Sequence, residues 1–393
     1  MKPSQQPLTA AFVHAVPMMP RRFHTILAIA IVNVAVWTLL ASLGLHVRVG
    51  AAQGSASAQQ LFYAPEEPRL VVRPFNESDR LTHIYMKLAS DHFFGDLPIP
   101  PGFQDRLDAI RITKDTDFTK LLDGDVIYVD AFFAGDFIID LLPRIHTRFV
   151  LITGDSGLCM PRCRLTKTGI LRLTENPYLI YWWMPHCDGI EHGAQKMGCM
   201  HLGIDQHGTA RADMQKAYEA GLGLVDGAFA SILPWEQRPE RYLLVSFQVS
   251  TNKKARQPVM DMFCGNETVI PNEKRTQVQK LREVSNCFYK KGINKFDFYR
   301  DVLAPSLFVL SPPGEGPDCY RTYETLLLGG YPIVKTSTLD ALFTNLPVLI
   351  VQDFEDLSVE LLEETYRKFQ KRKWDYRPLY VEYWSQRVRI YNK

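Results

Sequence analysis

The stretch Ser311–Ser337, SPPGEGPDCYRTYETLLLGGYPIVKTS, decides the fold of the half of the chain in which it lies. An apolar run, LFVL at 307–310, precedes it, and a second apolar run, YPIVK, begins at 331. Between the two runs, a glycine-containing loop leads into a helix-forming segment that Gly329 and Gly330 are predicted to end. Strand, loop, helix and strand in this order predict a parallel α/β unit with its loop at the carboxyl end of the first strand.

This loop has the features of an anion-binding site. Ser311 opens it, and Gly314 and Gly316 are predicted to adopt positive φ and to let a ligand approach closely. Asp318 is the predicted N-cap of a helix over about residues 319–328. Open α/β sheets bind ligands at this position, and the free N–H groups of a helix N-terminus favour anions.

Arg321 and Glu324 are three residues apart, so the predicted helix presents them on one face. A guanidinium can grip a diphosphate with two donors, and a carboxylate one turn later suits the paired hydroxyls of a ribose. The pair therefore predicts binding of a nucleotide diphosphate. The alternative is a local ion pair on an ordinary surface helix, because the loop matches neither a Walker motif nor a Gly-x-Gly-x-x-Gly fingerprint.

Apolar runs alternate with helix-like segments along the rest of the chain, as in α/β proteins. The predicted strands are VIYVDAFF from 126, RFVLITG from 148, YLIYWW from 178, MHLGID from 200, YLLVSF from 242 and PVLIVQD from 347. RADMQKAYEAGLG from 211 and NEKRTQVQKLREVSN from 272 are predicted helices. With a boundary near residue 235, the chain is predicted to form two Rossmann-like α/β domains, 70–235 and 236–393, that face each other across a cleft.

Composition narrows the possible functions. The chain has 393 residues, of which 46% are hydrophobic and 22% charged, so it is globular. A net charge of +2 is too small to favour nucleic acid as a partner. There is no zinc-type pair of Cys-x-x-Cys motifs, and no Asp-x-Asp ends a predicted strand. We therefore expect neither a permanently bound cofactor nor an essential metal.

One segment is long and apolar enough to span a membrane. Residues 26–47, ILAIAIVNVAVWTLLASLGLHV, carry no charge, and basic residues precede them at Lys2, Arg21 and Arg22. We predict a cytoplasmic tail at 1–22, an uncleaved type II anchor at 23–47 and a stem at 48–69. A signal peptide cleaved near Ala58 is the alternative, but the apolar run exceeds the usual length of about 7–15 residues.

Sequons and cysteines agree with a body in a lumen. Asn76 and Asn266 begin Asn-x-Ser and Asn-x-Thr tripeptides, so both are predicted glycosylation sites. Six of the seven cysteines could pair in an oxidising lumen, which would leave Cys319 over. The sequence does not decide their connectivity.

The segment around the opening stretch resembles the nucleotide-sugar segment of exostosin-like glycosyltransferases. The resemblance covers about residues 240–360, is faint before them, and departs at Gly330-Tyr331. The matching positions are Ser306, Phe308, Leu310, Pro312, Gly314, Asp318, Cys319, Arg321, Glu324, Gly329, Pro332, Ile333 and Val334. The run LVSF at 244–247 with Arg256 is similar to the strand and basic turn that open the same domain.

This resemblance implies a GT-B fold, a single N-terminal anchor, and transfer of a hexose or pentose from a nucleotide sugar. It makes residues 70–235 the acceptor domain and residues 236–393 the donor domain. The implied donor-binding residues are Arg256, Ser311, Gly314, Gly316, Asp318, Arg321 and Glu324. The implied enzyme is a single-pass Golgi protein with a lumenal body that acts on a glycan or glycoprotein acceptor, with a UDP-sugar as donor.

A general base for the acceptor would stand at a strand end of the first domain. Asp155, in TGDS, and Asp188, in HCDG, are the candidates, with His186 and His192 nearby. A turn in which Asp155 bonds its own backbone is the alternative for that residue. A Cys187–Cys199 disulfide accounts for this region better than a metal site does.

Two aromatic segments have two interpretations each. Tyr181, Trp182 and Trp183 could stack on sugar rings or fill the core. The basic, aromatic end at 367–393 could bind an acidic polysaccharide or pack across the domain junction.

Two other functions compete with the glycosyltransferase interpretation. A non-catalytic glycan-binding relative would use Arg321 and Glu324 only as scaffold. A lumenal sulfotransferase would need a lysine-bearing phosphate loop after an early strand, which the sequence lacks.

Overall fold

The computed structural model describes residues 80–96, 99–188, 196–208, 210–220, 222, 224–225, 228–229, 242–265, 272–289 and 292–390. The predicted tail, anchor, stem and domain boundary, both sequons and His192 lie outside these ranges. None of the helices in the described ranges combines the length and the apolar character that a membrane crossing needs. Both sheets belong to one compact unit, Ala58–Lys393.

The first half contains a sheet of five parallel strands in the order β1-β2-β3-β4-β5. The strands are β1 (His92–Phe94), β2 (Asp125–Asp130), β3 (Phe149–Gly154), β4 (Leu179–Met184) and β5 (Met197–Cys199). Its helices are α1 (His83–Ala89), α2 (Gln104–Asp108), α3 (Ala134–Asp136, continued as a π-helix to Leu141), α4 (Lys167–Thr174) and α5 (Ala210–Glu219). A short antiparallel pair, β6 (Leu224–Val225) and β7 (Ala228–Phe229), follows.

Continuous apolar runs explain the centre of this sheet. All six residues of β3 are buried, as expected for a parallel strand covered on both faces. Tyr181, Trp182 and Trp183 on β4 are also buried, so they are core residues and do not form a sugar platform. The strand predicted from Met200 lies earlier, at Met197–Cys199, because the chain turns away from β4 after that point. The strictly sequential strand order differs from the expected Rossmann order.

The second half contains another five-stranded parallel sheet, in the order β12-β11-β10-β8-β9. Its strands are β8 (Leu243–Val245), β9 (Ser285–Cys287), β10 (Phe308–Leu310), β11 (Tyr331–Lys335) and β12 (Leu349–Val351). Its helices are α6 (Lys253–Cys264), α7 (Arg275–Glu283), α8 (Lys295–Phe298, continued as a π-helix to Leu303), α9 (Tyr320–Leu327) and α10 (Val359–Gln370). Short 3-10 turns connect several elements of both halves.

The strand order of the second sheet contains a switch point. The chain runs outward from β8 to β9, then returns to place β10 on the other side of β8. Loops that leave adjacent strands in opposite directions open a crevice at the carboxyl ends of those strands, and open α/β sheets bind ligands there. The crevice of this sheet therefore lies where β8 and β10 end.

Helix α9 ends as the sequence predicts. Gly329 has φ +83°. Its N–H bonds Leu326 O, and the N–H of Gly330 bonds Thr325 O at 2.9 Å. This double closure is a Schellman motif, which requires a residue that tolerates positive φ. The chain then enters β11 directly.

The C-terminal segment returns to the first half. Helix α11 (Val381–Arg387) packs on α1, and the Trp384 ring meets Trp183 edge-to-face at 5.7 Å. Arg389 pairs with Asp91 at 2.7 Å, and Leu81 N–H bonds Leu379 O. Trp384 thus packs across the junction of the two halves, whereas Trp374 packs on Phe369 of α10.

Three disulfides are present: Cys159–Cys163, Cys187–Cys199 and Cys264–Cys287. Cys319 is free. The structure confirms both the predicted Cys187–Cys199 pair and the cysteine expected to be left over.

Candidate functional site

Arg256, on α6, ties together the two loops that leave the switch point. Its guanidinium bonds Gln248 O at 2.8 Å and the Thr251 hydroxyl on the β8 side. On the β10 side it bonds Pro312 O at 3.1 Å, Pro313 O at 3.0 Å and Cys319 Sγ at 3.7 Å. These contacts engage all five donors of an arginine. The structure thus gives Arg256 a role in positioning the loop, and its predicted direct contact with a donor stays a prediction.

The two loop glycines serve close contacts within the protein. A Cβ on Gly316 would lie 2.5 Å from His186 Nδ1 and 2.8 Å from Gly157 O, both in the first half. A Cβ on Gly314 would lie 3.3 Å from Arg256 Nη2. Neither glycine has positive φ, so that expectation was wrong. Gly316 lets the loop from one half lie directly against the other.

Asp318 does not cap α9, because Cys319 occupies the N-cap position without a side-chain cap. The buried Asp318 carboxylate instead accepts the N–H of Leu202 at 3.3 Å, from the first half, and the Tyr323 hydroxyl. Its own N–H donates to His186 Nδ1 at 3.3 Å. Burial raises the pKa of Asp318 to about 6, against these hydrogen bonds. Asp318 therefore joins the two halves beside the loop.

Arg321 lies in the first turn of α9 and has no hydrogen bond or ion pair within the described part of the chain. Its Nε is buried without a partner. The local ion pair with Glu324, the alternative from the sequence, is not formed, because the partners of Glu324 lie elsewhere. The helix N-terminus beside Arg321 also has no side-chain cap. A cation and uncapped N–H groups thus meet at the end of the glycine loop.

Glu324 is buried one turn further along α9. Its Oε1 accepts the Tyr299 hydroxyl at 2.8 Å and lies 3.4 Å from Lys295 Nζ. Lys295 Nζ also lies 3.5 Å from Asp205 Oδ2, from the first half. Burial alone would lower the pKa of Lys295, but Glu324 and Asp205 outweigh it and raise that pKa. Glu324 therefore lies beside a cation, with both contacts on one oxygen.

A cavity of about 100 Å³ lies between the loop at 311–318 and the loop that follows β11. Ser311 lines it, and the Ser311 Oγ is buried without a partner. Lys335, Thr336 and Ser337 line the other side, at the carboxyl end of β11. An orphaned hydroxyl that lines a cavity is a suitable contact for a ligand.

The facing edge, at the carboxyl ends of β2 and β3, carries a charge cluster. Lys87 Nζ lies 2.6 Å from Asp130 Oδ1 and 2.6 Å from Asp155 Oδ2, with the lysine side chain 2% exposed. Gln206 donates to the other oxygen of Asp155 at 3.0 Å. Burial opposes the charged form of Asp155, but interactions with His83 and Lys87 outweigh it and lower its pKa.

Two residues on this edge hold unusual backbone conformations. Asp155 has φ +57° and His186 has φ +52°, and they follow the adjacent strands β3 and β4. Such conformations carry strain for residues with a Cβ and concentrate at functional sites. His186 contacts the glycine loop, because the N–H of Asp318 donates to its Nδ1.

His83 and His186 are buried and neutral. The N–H of Asp155 donates to His83 Nδ1 at 3.1 Å, and the N–H of Asp318 donates to His186 Nδ1. Each Nδ1 is therefore an acceptor, with the ring proton on Nε2. Burial lowers the pKa of His83 to about 4 and that of His186 to about 3.

No contact among the described residues joins Asp188, the other candidate base, to Asp155. Its Oδ1 accepts the N–H of Arg162 at 3.2 Å, and burial raises its pKa. Within those residues, Asp188 belongs to the one cluster with metal-ligand spacing, together with Cys159 and Cys163. Because the two sulfurs are joined in a disulfide, they cannot act as thiolate ligands.

Sequence reasoning missed several residues of this region: Lys87, Asp205, His207, Lys295 and Tyr299. A signal for two of them existed, since IDQHG places an Asp and a His two residues apart after an apolar run. Lys295 and Tyr299 have no local signal, because they reach Glu324 from an element far along the chain.

Comparisons with known proteins identify no family. No protein-family model matches the chain, and no curated protein matches it. Among solved structures, Anabaena Alr3699/HepE in complex with UDP overlaps with a TM-score of 0.33 at 10% identity, covering 67% of this chain and 73% of that one. The same protein with UDP and glucose gives 0.34 at 9% identity, with 68% and 75% covered. Its complex with UDP-glucose gives 0.32 at 9%, with 68% and 76% covered. Overlaps this low decide neither the family nor the function of this chain.

Proposed function

We propose that this protein is a GT-B glycosyltransferase of the exostosin-like family, which transfers a sugar from a nucleotide diphosphate sugar, first of all a UDP-sugar, to a hydroxyl of a glycan or glycoprotein. One observation carries the proposal: among the described residues Arg321 has no partner, and its Nε is buried beside an uncapped helix N-terminus at the switch point of a parallel sheet.

The unpaired arginine favours binding over a scaffold role. A partly buried cation without a counter-ion loses hydration and gains nothing in return within the protein. A diphosphate would supply two negative oxygens to the fork of Arg321 and accept from the free N–H groups of α9. In the reaction, the same groups would stabilise the charge that develops on the leaving diphosphate.

The rest of the donor would extend from this point. Glu324, one turn from Arg321, would accept from ribose hydroxyls with the oxygen that Tyr299 and Lys295 do not occupy. Ser311 and the cavity it lines offer a polar contact beside the loop. Gly314 and Gly316 keep the loop close enough to both halves for these groups to converge.

The acceptor would enter from the facing edge of the first sheet. Asp155 and Asp188 were the predicted bases there. Asp155 is the better placed, but Lys87 and Gln206 occupy both of its oxygens and its pKa is lowered. Asp155 would therefore help to position the acceptor and would not act as the base.

Binding and turnover of nucleotides test the proposed function together. Calorimetry should detect UDP binding to the full chain, and a panel of UDP-sugars should show UDP release with at least one donor. UDP binding without turnover of any nucleotide sugar would favour the non-catalytic relative, and no binding would contradict the proposal. Activity should persist in a chelator, because Arg321 and the helix N-terminus neutralise the diphosphate without metal.

The proposed setting is the Golgi membrane, with residues 23–47 as a type II anchor and the body lumenal. The charge-free apolar segment, its preceding basic residues and the sequons support this setting. Asn266 should carry a glycan in cells, so glycosidase treatment should increase gel mobility. A body that proteases reach in intact microsomes would contradict the topology.

A further inference from the structure

An aspartate–histidine pair lies between β5 and α5, in the segment Asp205–His207. The His207 Nδ1 lies 2.9 Å from Asp205 Oδ1, and the backbone N–H of His207 donates to the same oxygen at 2.9 Å. The His207 side chain is 70% exposed, whereas the Asp205 side chain is only 18% exposed. The ring is thus held at one nitrogen and open at the other edge.

The pair belongs to the first half but lies against the donor side of the second half. The His207 ring meets Tyr320, the first residue of α9, at 6.5 Å between ring centroids. The second oxygen of Asp205 lies 3.5 Å from Lys295 Nζ, and Lys295 pairs with Glu324 on α9. His207 therefore stands next to the helix turn that carries Arg321.

The contact with Asp205 determines which nitrogen of His207 can accept a proton. A carboxylate can only accept, so the Nδ1 of His207 carries the ring proton and the Nε2 keeps its lone pair. The same carboxylate stabilises the imidazolium that forms when Nε2 takes up a proton. An oriented ring with an exposed basic nitrogen is the arrangement that general-base catalysis requires.

The other basic groups of the cleft lack this combination. Both oxygens of Asp155 are occupied by Lys87 and Gln206. His83 and His186 are buried and use Nδ1 to accept backbone N–H groups. Of these groups, only His207 combines exposure with a carboxylate that orients it.

We propose that His207 is the catalytic base that deprotonates the acceptor hydroxyl, oriented by Asp205, in the sugar transfer on which this inference rests. As the acceptor oxygen bonds the anomeric carbon, the bond from that carbon to the diphosphate oxygen breaks, and its electron pair leaves with UDP. The acceptor proton passes to Nε2 of His207 and then to solvent. Tyr320 and the first turn of α9 would bring the base and the diphosphate site together.

The charged groups around His207 set its protonation. Asp205 and Asp155 raise its pKa, whereas burial and Lys295 lower it. The hydrogen bond that His207 donates to Asp205 is the largest influence and raises the pKa of His207. The rate should therefore rise with pH as the ring loses its proton, with an acid limb above the usual histidine range.

The test compares His207→Gln, Asp205→Asn and His146→Gln in the full chain. His146 is the matched control, since it is also exposed and packs edge-to-face on a tyrosine, Tyr178, at the amino end of β3. The readouts are UDP release from the UDP-sugar that the wild type turns over, its pH profile, UDP affinity by calorimetry, and melting temperature. His207→Asn is the second variant, should His207→Gln fold poorly.

The expected result separates the base from its orienting partner. His207→Gln should lower kcat about 100-fold or more and abolish the acid limb, with UDP affinity unchanged. Asp205→Asn should lower kcat less and shift the acid limb to lower pH, because the ring loses its ionised partner. His146→Gln should behave as the wild type.

Other outcomes overturn the inference in distinguishable ways. Wild-type kcat and an intact acid limb in His207→Gln, with normal UDP binding, would exclude His207 as the base while the proposed function stands. A loss of UDP affinity equal to the loss of rate would make His207 a donor contact instead. A wild type that neither binds UDP nor turns over any UDP-sugar would reject the proposed function and this inference with it.

Discussion

The carboxyl-end edges of the two parallel sheets differ in whether their buried cation has a counter-ion. On the first sheet, buried Lys87 is enclosed by Asp130 and Asp155 at 2.6 Å each, so the cation is matched within the protein. On the second, Arg321 has no counter-ion among the described residues, and its Nε is buried without a partner. The first arrangement stabilises the fold, whereas the second leaves a positive charge available to bind a ligand.

The difference follows from the cost of desolvation. A charge removed from water must be compensated by a nearby opposite charge or by hydrogen bonds. Lys87 receives that compensation from its own chain, so we expect its loss to affect folding. Arg321 does not, so we expect its loss to affect binding.

The largest expected effect is that of Lys87→Met on stability. The substitution leaves two carboxylates facing each other without a cation, which costs about 3–5 kcal/mol in the free energy of unfolding when a buried pair is broken. Urea denaturation would measure it. Lys114→Met, which removes an exposed partner of Asp140, is the control and should change little. Equal losses of stability in the two variants would contradict the claim that the Lys87 cluster stabilises the fold.

The next effect is that of Arg321→Lys on UDP affinity. Lysine keeps the charge but loses the fork, and the loss of a charge-assisted contact costs about 1.5–3 kcal/mol, or about 10- to 150-fold in affinity. Melting temperature should not fall, because Arg321 stabilises no described partner. Calorimetry on this variant and on Arg275→Lys, an exposed arginine of α7, gives the measurement and its control. A destabilised variant with normal UDP affinity would reverse the comparison.

A smaller effect concerns Asp318, which joins the two edges. Its pKa is about 6 in the folded protein against an ordinary value of 3.8, so folding favours the protonated form. Its contribution to stability is therefore fully present below the unfolded value and is lost as pH rises towards 6. Wild type should lose about 1 kcal/mol per pH unit from this group over that window, and Asp318→Asn should not. Identical pH slopes in the two proteins would show that burial of Asp318 is relieved in solution.

The smallest effect is expected for Glu324→Gln. The amide keeps the shape and can still accept from Tyr299, but it is a weaker acceptor for ribose hydroxyls and loses the ion pair with Lys295. We expect a loss of about 1 kcal/mol, or about fivefold, in UDP affinity with the fold intact. Glu363→Gln, an exposed pair on α10, is the control. Unchanged affinity would confine Glu324 to a structural role.

The sequence by itself determined the local elements of this protein. The apolar runs predicted β2, β3, β4, β8, β10, β11 and β12, and the two glycines predicted the end of α9. It also predicted Cys319 as the unpaired cysteine. These features follow from the period of the hydrophobic pattern and from the conformations that glycine allows, both of which act over a few residues.

Only the tertiary structure decided which charges are matched. Arg321 and Glu324 are three residues apart, yet Glu324 bonds Tyr299 and Lys295. Arg321 has no partner among the described residues. Asp318 likewise does not cap α9 as predicted, but accepts the N–H of Leu202, 116 residues away. The packing of the two halves against each other determines partners of this kind. Burial makes an uncompensated charge costly, and the compensating group can come from anywhere in the chain. The sequence therefore predicted the position of a ligand site, whereas the fold decided which groups remain to bind a ligand.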